Sequence, residues 1–345
     1  MSVRFLLLFS ALAFVTGPMR VAGQTKAGAN KSWTVPRAPD GHPDLQGNWL
    51  SKSATPLERP KQLEGRQFLT DDEVAELKKR AERIFKDGHS DFGGGGDNVF
   101  LAALANVEQF KNPNATGDST NMVEREFDNR TSLIIDPPDG RIPAYTALGQ
   151  QRRAEFLAAL VARNAPASRE GLTPDQRCIT FGVPRVGSNY SAGNVGYYQI
   201  FQTPDHVVFF MEAIHEARVI PLDGRPHLPS SIRTWNGDSR GRWEAKTLVV
   251  DTTNFSAKTN FLGAADDLHL VERFTRVAPD EIQYEITVDA PSTWARPWTA
   301  MVRLKRTEDM IYEFACHEGN APIMETMLTG TRASKSVAGK NAKDK

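Results

Sequence analysis

Histidines with charged neighbours are the residues of this sequence best suited to chemistry. His215 follows Glu212 and precedes Arg218, and His317 directly precedes Glu318. A histidine exchanges a proton near neutral pH, and a carboxylate or arginine beside it can orient the ring or stabilise a developing oxyanion. The predicted catalytic residues are His215, His317, Glu318, Arg218 and Arg273. The alternative is that each histidine is a rim residue with a structural hydrogen bond, and that Arg273 forms only a structural ion pair.

A metal site is the second chemistry that the histidines allow. Three histidines from positions 215, 227, 269 and 317, together with a carboxylate, would form a suitable ligand set for zinc or iron. The sequence has no HExxH motif, no closely spaced histidine pair and no His-x-His. We therefore predict no cofactor, with a bound metal ion as the less favoured alternative.

Serine and aromatic residues offer two other functions. Ser239 lies in a polar, glycine-rich segment (residues 236–241) that is typical of a turn, but it lacks the Gly-x-Ser-x-Gly elbow of a serine nucleophile. Aromatic side chains can line a pocket for a ring-shaped ligand, although in a barrel they more often belong to the core. The predicted ligand-binding residues are Trp235, Trp243, Trp298, Tyr198 and His269.

Strands are the elements that must position these residues. Segments of strand length recur from residue 177 to residue 316, separated by turns such as Asp223-Gly224 and Pro279-Asp280. The predicted strands are Tyr197–Gln202, His206–Met211, Ala217–Pro221, Leu248–Thr252, Leu268–Arg276, Glu281–Asp289, Ala300–Arg306 and Ile311–Cys316. No alternating βαβ pattern occurs, which argues against a parallel α/β sheet. The predicted fold is mainly β, either an antiparallel barrel of the lipocalin or calycin kind or a sandwich.

Helices are predicted in the N-terminal half. The segment Thr70–Lys86 has a capping box, formed by Thr70 and Glu73, and an apolar stripe at helical spacing. Arg152–Arg163 also places its apolar residues on one face, and Val99–Val107 has the length of a short helix. We expect two or three peripheral helices.

The N-terminus is typical of a secretory signal peptide. Arg4 precedes the apolar run Phe5–Val15, and Val21-Ala22-Gly23 is a small-residue cleavage site. The alternative is an uncleaved anchor. The mature protein is predicted to be periplasmic or secreted, after cleavage near Gly23. The predicted segments are a signal peptide (1–23), an extended arm (24–66), a helical and loop-rich segment (67–176), an antiparallel β domain (177–330) and a disordered tail (331–345).

Export also bears on the cysteines. Cys178 and Cys316 are the only two in the sequence. In an oxidising compartment a distant pair is more often a disulfide than a metal site or a nucleophile. We predict that the two are bonded.

The charge balance restricts the partners. Lys+Arg and Asp+Glu each number 42, so the formal net charge is +0. A nucleic-acid partner is disfavoured without a basic excess, and so is broad attraction to an anionic membrane surface. No stretch after the signal peptide has the length of a membrane span, which predicts no stable membrane insertion. The expected partner is a small organic molecule, and the oligomeric state is not indicated.

Several motifs together resemble a known family. They are PDLQGNW (43–49), IDPPDGRIP (135–143), WNGDSRGRWEAKTLVVDTTNF (235–255), HLVERFTR (269–276), RPWT (296–299) and YEFACHEGN (312–320). These tracts resemble an abundant family of exported bacterial proteins of unknown function. The resemblance implies export and a β-rich fold, and it implies no particular activity. Ala245-Lys246 departs from the family pattern, which has Gly-Asp there, and this puts a tight turn before the next strand in doubt.

These observations predict an exported barrel that binds a small, largely apolar organic molecule, since a barrel interior suits such a ligand. We favour a lyase, isomerase or hydrolase that uses His, carboxylate and Arg without an organic cofactor. The alternative is a non-catalytic carrier or an envelope-associated binding protein.

Overall fold

The computed structural model describes residues 33–85, 96–110, 125–162, 169–186, 195–259, 261–264 and 266–341. The chain divides into the units Met1–Thr34 and Val35–Lys345, and the second contains all the elements described below. The strands are β1 Gly47–Leu50, β2 Ile134–Asp136, β3 Tyr197–Gln202, β4 His206–Met211, β5 Glu216–Pro221, β6 Asp238–Glu244, β7 Thr247–Thr253, β8 His269–Ala278, β9 Glu281–Asp289 and β10 Trp298–Arg306. The helices are α1 Asp71–Phe85, α2 Gly96–Ala105, α3 Ala147–Ala162 and α4 Cys316–Asn341.

The strands form one antiparallel sheet that is nearly closed into a barrel, which confirms the predicted fold class. Nine strands follow one another in the order β5-β4-β3-β1-β10-β9-β8-β7-β6, and β2 pairs with β10 outside this series. Every neighbouring pair in the series is antiparallel. The two end strands, β5 and β6, lie side by side and complete the wall without a ladder of backbone hydrogen bonds.

Alternating side chains fill the barrel. Along β9, Ile282, Tyr284, Ile286 and Val288 are buried, while the residues between them are partly exposed, as the period of two predicts. The neighbouring strands β8 and β10 alternate in the same way. The interior is therefore a packed core of large apolar and aromatic side chains.

Part of the predicted N-terminal arm belongs to the barrel. Strand β1 lies between β3 and β10, and its Trp49 is fully buried in the core. The indole Nε1 of Trp49 donates to the carbonyl of Leu45 at 2.9 Å, which satisfies its one polar group. The segment 24–66 thus contributes a strand to the wall.

The first helices pack as a separate cluster. The predicted capping box of α1 is confirmed, because the Thr70 amide donates to the Glu73 carboxylate at 2.8 Å and the Glu73 amide donates to Thr70 Oγ1 at 3.2 Å. Leu77 and Ile84 of α1 lie in an apolar cluster with Phe100 of α2 and with Phe127.

The C-terminal region differs from the prediction. Residues 311–315 form no strand, and Cys316 begins helix α4, which continues to Asn341. Residues 331–341 are therefore helical where the composition predicted a disordered tail. The predicted disulfide is confirmed, since Cys178 and Cys316 are bonded. Among the described helices, none has the length and apolar character needed to cross a membrane.

Candidate functional site

The closing seam of the barrel is set by the number of strands. An antiparallel series of nine leaves its first and last members running in the same direction, so β5 and β6 are parallel. Parallel neighbours need a long crossover connection, and residues 222–237 provide it. The segment predicted as a polar turn (236–241) begins in a turn at Asn236 and enters β6 at Asp238, and the turn between β6 and β7 is Ala245-Lys246.

Arg218 of β5 crosses the seam inside the barrel. Its Nε donates to Ser239 Oγ of β6 at 3.0 Å, and its Nη2 donates to Thr252 Oγ1 of β7 at 2.6 Å. Its guanidinium also pairs with both carboxylate oxygens of Glu272 of β8. The side chains of Arg218 and Glu272 are only 10% and 1% exposed. The ion pair and the other hydrogen bonds of Arg218 therefore connect β5, β6, β7 and β8 across the seam, where no backbone ladder joins β5 to β6.

Tyr284 completes this buried network. Its hydroxyl donates to Glu272 Oε1. Burial, followed by the charge of Glu272, raises the pKa of Tyr284 well above its ordinary value of about 10. The phenol therefore stays protonated across the physiological range and serves as a hydrogen-bond donor rather than as a base.

A cleft of about 230 Å³ opens on the outer side of the seam. It is lined by Ala217, Arg218, Val219 and Pro221 of β5 and by Asn236, Gly237, Asp238, Ser239 and Arg240 on the β6 side. The lining is mixed, with five polar or charged residues among the nine, whereas the sequence predicted a largely apolar pocket. The volume lies just below the range of about 300–1,000 Å³ typical of drug-sized sites, so the occupant must be small.

A much smaller cavity lies on the inner side of Arg218. Its volume is about 10 Å³, and Arg185, Tyr198, Glu272 and Tyr284 are among its lining residues. The Arg185 side chain is 2% exposed and donates through Nη2 to Glu216 at 2.9 Å. Its Nε and Nη1 have no hydrogen-bond partner within the described part of the chain. This volume suits a single water molecule rather than an organic ligand, so the outer cleft is the better binding site.

Two of the predicted catalytic residues meet at the rim. The rings of His215 and His317 lie 6.2 Å apart, and both side chains are exposed. His215 Nδ1 is 3.2 Å from the carbonyl of Phe314. Nearby Glu212 accepts a long hydrogen bond from the Tyr312 amide, and burial raises the pKa of Glu212. Glu318 is exposed in the first turn of α4.

The other predicted residues are dispersed. Arg273 lies on the outer face, paired with Glu244 at 2.5 Å, and Arg218 belongs to the buried network. Trp298 is fully buried against Trp294. Trp243 stacks on His42, with ring centroids 4.9 Å apart. Among the predicted ligand-binding residues, Tyr198 lines the inner cavity and Trp235 directly precedes the cleft residue Asn236.

The sequence interpretation missed a network on the outer face. His227, in the connection between β5 and β6, contacts Asp238 through Nδ1 and Asp251 through Nε2, both at 2.9 Å. The second oxygen of Asp251 contacts His269 Nε2 at 2.9 Å. Both ring nitrogens of His227 therefore lie within hydrogen-bonding distance of a carboxylate oxygen. The network fastens the connection to β6, β7 and β8.

The charges of this network shift each other's pKa values. The hydrogen bond to Asp251 raises the pKa of His269, and the hydrogen bond from His269 lowers that of Asp251. Within the described residues, no group of three His, Cys, Asp or Glu side chains is arranged to hold a metal ion. A cofactor-free protein remains a prediction.

Comparisons with known proteins add little. No protein-family profile matches the chain, and no curated protein matches its sequence. A solved structure of a secretary abundant heat soluble (SAHS) protein from Ramazzottius varieornatus is similar over 32% of this chain and 70% of that chain, with 11% identity and a TM-score of 0.22. With a TM-score this low, the match gives no information about the fold or the function of this chain.

Proposed function

We propose that this protein binds a small molecule in the cleft between β5 and β6. The observation that carries the proposal is a polar cleft of about 230 Å³ at the point where the barrel wall has no backbone ladder. Polar groups that converge on a concave site are the usual mark of ligand recognition. The filled interior favours this outer cleft over the barrel lumen as the ligand site.

The ion pair of Arg218 and Glu272 gives the cleft a rigid floor. A buried pair with several further hydrogen bonds has little freedom to rearrange. Such a floor holds the two walls at a fixed distance without any contact from the ligand. A preformed site of this kind loses less free energy on binding than one that must be ordered by its ligand.

The lining of the cleft favours a carrier or binding protein over an enzyme. Arg218 and Arg240 are committed to ion pairs with Glu272 and Asp238. General acid–base catalysis needs a group that exchanges protons near the operating pH, and these groups do not supply one. We propose a polar ligand in place of the largely apolar ligand expected from the sequence.

An enzymatic role remains the second candidate because His215 and His317 lie 6.2 Å apart on the exposed rim. Two histidines at this separation can act on one substrate as acid and base. Once a ligand is identified, replacing either histidine with Asn should abolish its turnover if the pair is catalytic. Full turnover in both single variants would eliminate this role for the rim histidines.

The disulfide and the N-terminal sequence support an exported location. A disulfide is typical of proteins that mature in an oxidising environment. We propose export, directed by a signal peptide in residues 1–23, and membership of the exported bacterial family that the motifs resemble. Mass spectrometry of the mature N-terminus tests the cleavage near Gly23.

Native mass spectrometry of the protein isolated from its own host tests the binding function. The wild type should retain a small molecule, and Val219→Trp should lose it because the new ring fills the cleft. Val219 is 56% exposed, so the larger side chain enters solvent-accessible space and leaves the core intact.

Val277→Trp is the matched control. Val277 is an exposed strand residue that does not line the cleft, so this variant should retain the molecule. Equal retention by the wild type and Val219→Trp would place the ligand elsewhere. If the wild type retains no molecule from its host and also binds no added ligand, the result counts against the proposed binding function.

A further inference from the structure

The walls of the cleft are two strand edges. Across the β4–β5 ladder, the Leu222 amide donates to the Asp205 carbonyl at 2.8 Å, which fixes the alternation of hydrogen-bonded pairs. The backbone N–H and C=O of Arg218 therefore form hydrogen bonds with β4. Ala217 and Val219 direct their N–H and C=O groups away from β4, into the seam.

The β6 edge presents its backbone in the same way. The two-residue turn Ala245-Lys246 is closed by the pair Glu244 and Thr247, which sets the alternation along the hairpin. Ser239 then occupies a pair without backbone hydrogen bonds to β7, consistent with the 3.1 Å between its Oγ and that of Thr252. Its amide faces the seam.

The direction of the walls selects what can pair with them. Because β5 and β6 are parallel, one extended segment running the opposite way is antiparallel to both. Over the open part of the seam, such a segment would lie between the two edges as an antiparallel neighbour of each. Addition of a strand to exposed edges is a known mode of peptide recognition.

The seam sets the length of the segment. Near Ser239, the Arg218 side chain spans the space between β5 and β6. Further along, they touch, since a Cβ at Gly241 would lie only 2.6 Å from Leu222 Cδ2. Pro221 has no N–H to offer at that end. The open part spans residues 217–219, which matches three extended residues or roughly 10 Å.

The charges around the cleft indicate a neutral occupant. Arg218 pairs with Glu272, and Arg240 pairs with Asp238. An additional charge would enter a site whose own charges are already neutralised. The groups left for a ligand are the backbone donors and acceptors of the two edges, which amide groups complement.

We propose that the cleft binds a neutral, extended peptide segment of three residues, which pairs through its backbone with β5 and β6 at once. This inference rests on the proposed binding function and specifies its ligand class.

NMR titration of the isotopically labelled full-length protein with acetyl-Ala-Ala-Ala-amide tests the proposal. The amide signals of Ala217, Val219 and Ser239 should shift, and their hydrogen exchange should slow. The same peptide methylated on its three alanine nitrogens has a similar size and keeps only its terminal carboxamide as a hydrogen-bond donor. Loss of at least two net hydrogen bonds should weaken its binding about tenfold or more.

A matched pair of variants tests the edge itself. Val219→Pro removes the amide that faces the seam without touching the β4 ladder, and Val219→Ala keeps that amide. The tripeptide should bind to Val219→Ala but about tenfold more weakly to Val219→Pro. If Val219→Pro fails to fold, the N-methylated peptide on the wild type still decides the question.

The outcomes separate the two levels of the proposal. Equal binding of the methylated and unmethylated peptides would overturn backbone pairing. No peptide binding, with a non-peptide molecule retained by the wild type and lost from Val219→Trp, would overturn the ligand class and leave the binding function standing. Neither peptide binding nor a retained molecule would overturn both.

Discussion

Replacing Arg218 with Met tests whether the seam depends on a buried charge pair. The substitution keeps an unbranched side chain of similar length but removes the guanidinium. Glu272, whose side chain is 1% exposed, would then have only the Tyr284 hydroxyl as a donor among its observed side-chain partners. Ser239 and Thr252 would also lose their contacts with the guanidinium.

The expected cost follows from this burial. Removing one partner of a buried ion pair costs about 3–5 kcal/mol, because the remaining charge is left in a medium of low dielectric constant. Replacing both charged groups is much less costly. In the double variant Arg218→Met, Glu272→Gln, the amide oxygen still accepts from Tyr284, and we expect it to regain at least about half of the loss.

Urea unfolding at constant pH, with the disulfide intact, measures these free energies of unfolding. The surface pair Arg242 and Glu244 serves as the control, since its side chains are 55% and 39% exposed. Arg242→Met should cost no more than about 1 kcal/mol. The reasoning is refuted if Arg218→Met costs as little as the control, or if the double variant is no more stable than the single one.

Three other predictions follow from single features. Reducing the disulfide between Cys178 and Cys316, which are 138 residues apart, should lower the free energy of unfolding by up to about 5 kcal/mol in the chain-entropy estimate, and an unchanged urea midpoint would contradict this. Ala245 has a φ of 52° in its turn, so Ala245→Gly should stabilise by roughly 0.5–1 kcal/mol in the same assay, and a loss would show that the turn tolerates Ala without strain. Because Asp251 raises the pKa of His269, the stability from that contact is complete below about pH 6.5 and is lost as the pH rises through the raised pKa. The stability difference between the wild type and His269→Gln should therefore shrink from about pH 6 to about pH 9, and a growing difference would reverse the assigned sign.

Local patterns accounted for the elements with strong periodicity. The alternation in β9 predicted its buried face, and Thr70 with Glu73 predicted the start of α1. Strand β6 was missed because its Asp, Ser, Arg and Gly residues are typical of turns. In the structure these residues serve specific purposes in the strand. Asp238 and Arg240 form an ion pair on the outer face, and Gly241 permits close approach to Leu222.

A correct prediction of the β6–β7 hairpin would have revealed part of the network on the outer face. With Ala245-Lys246 as the turn, Arg240 lies opposite Asp251, and Asp238 lies two residues further along the same face. His227 approaches this face from the connection, which no local pattern predicts. The three-dimensional path of a connection depends on which strands it joins, and therefore on the strand order.

The strand count shows why the site itself could not be predicted. Eight strands were expected, and an even antiparallel series closes without a parallel pair. The structure keeps seven of them, replaces the eighth with the start of α4, and adds β1 and β6. The resulting odd number, nine, makes β5 and β6 parallel, and the cleft lies between these two strands, which no ladder joins. β1 is only four residues long, so its pairing with β3 and β10 carries almost no local signal. One short strand, set by packing of Trp49 in the core, thus decides whether the barrel has a cleft at its seam.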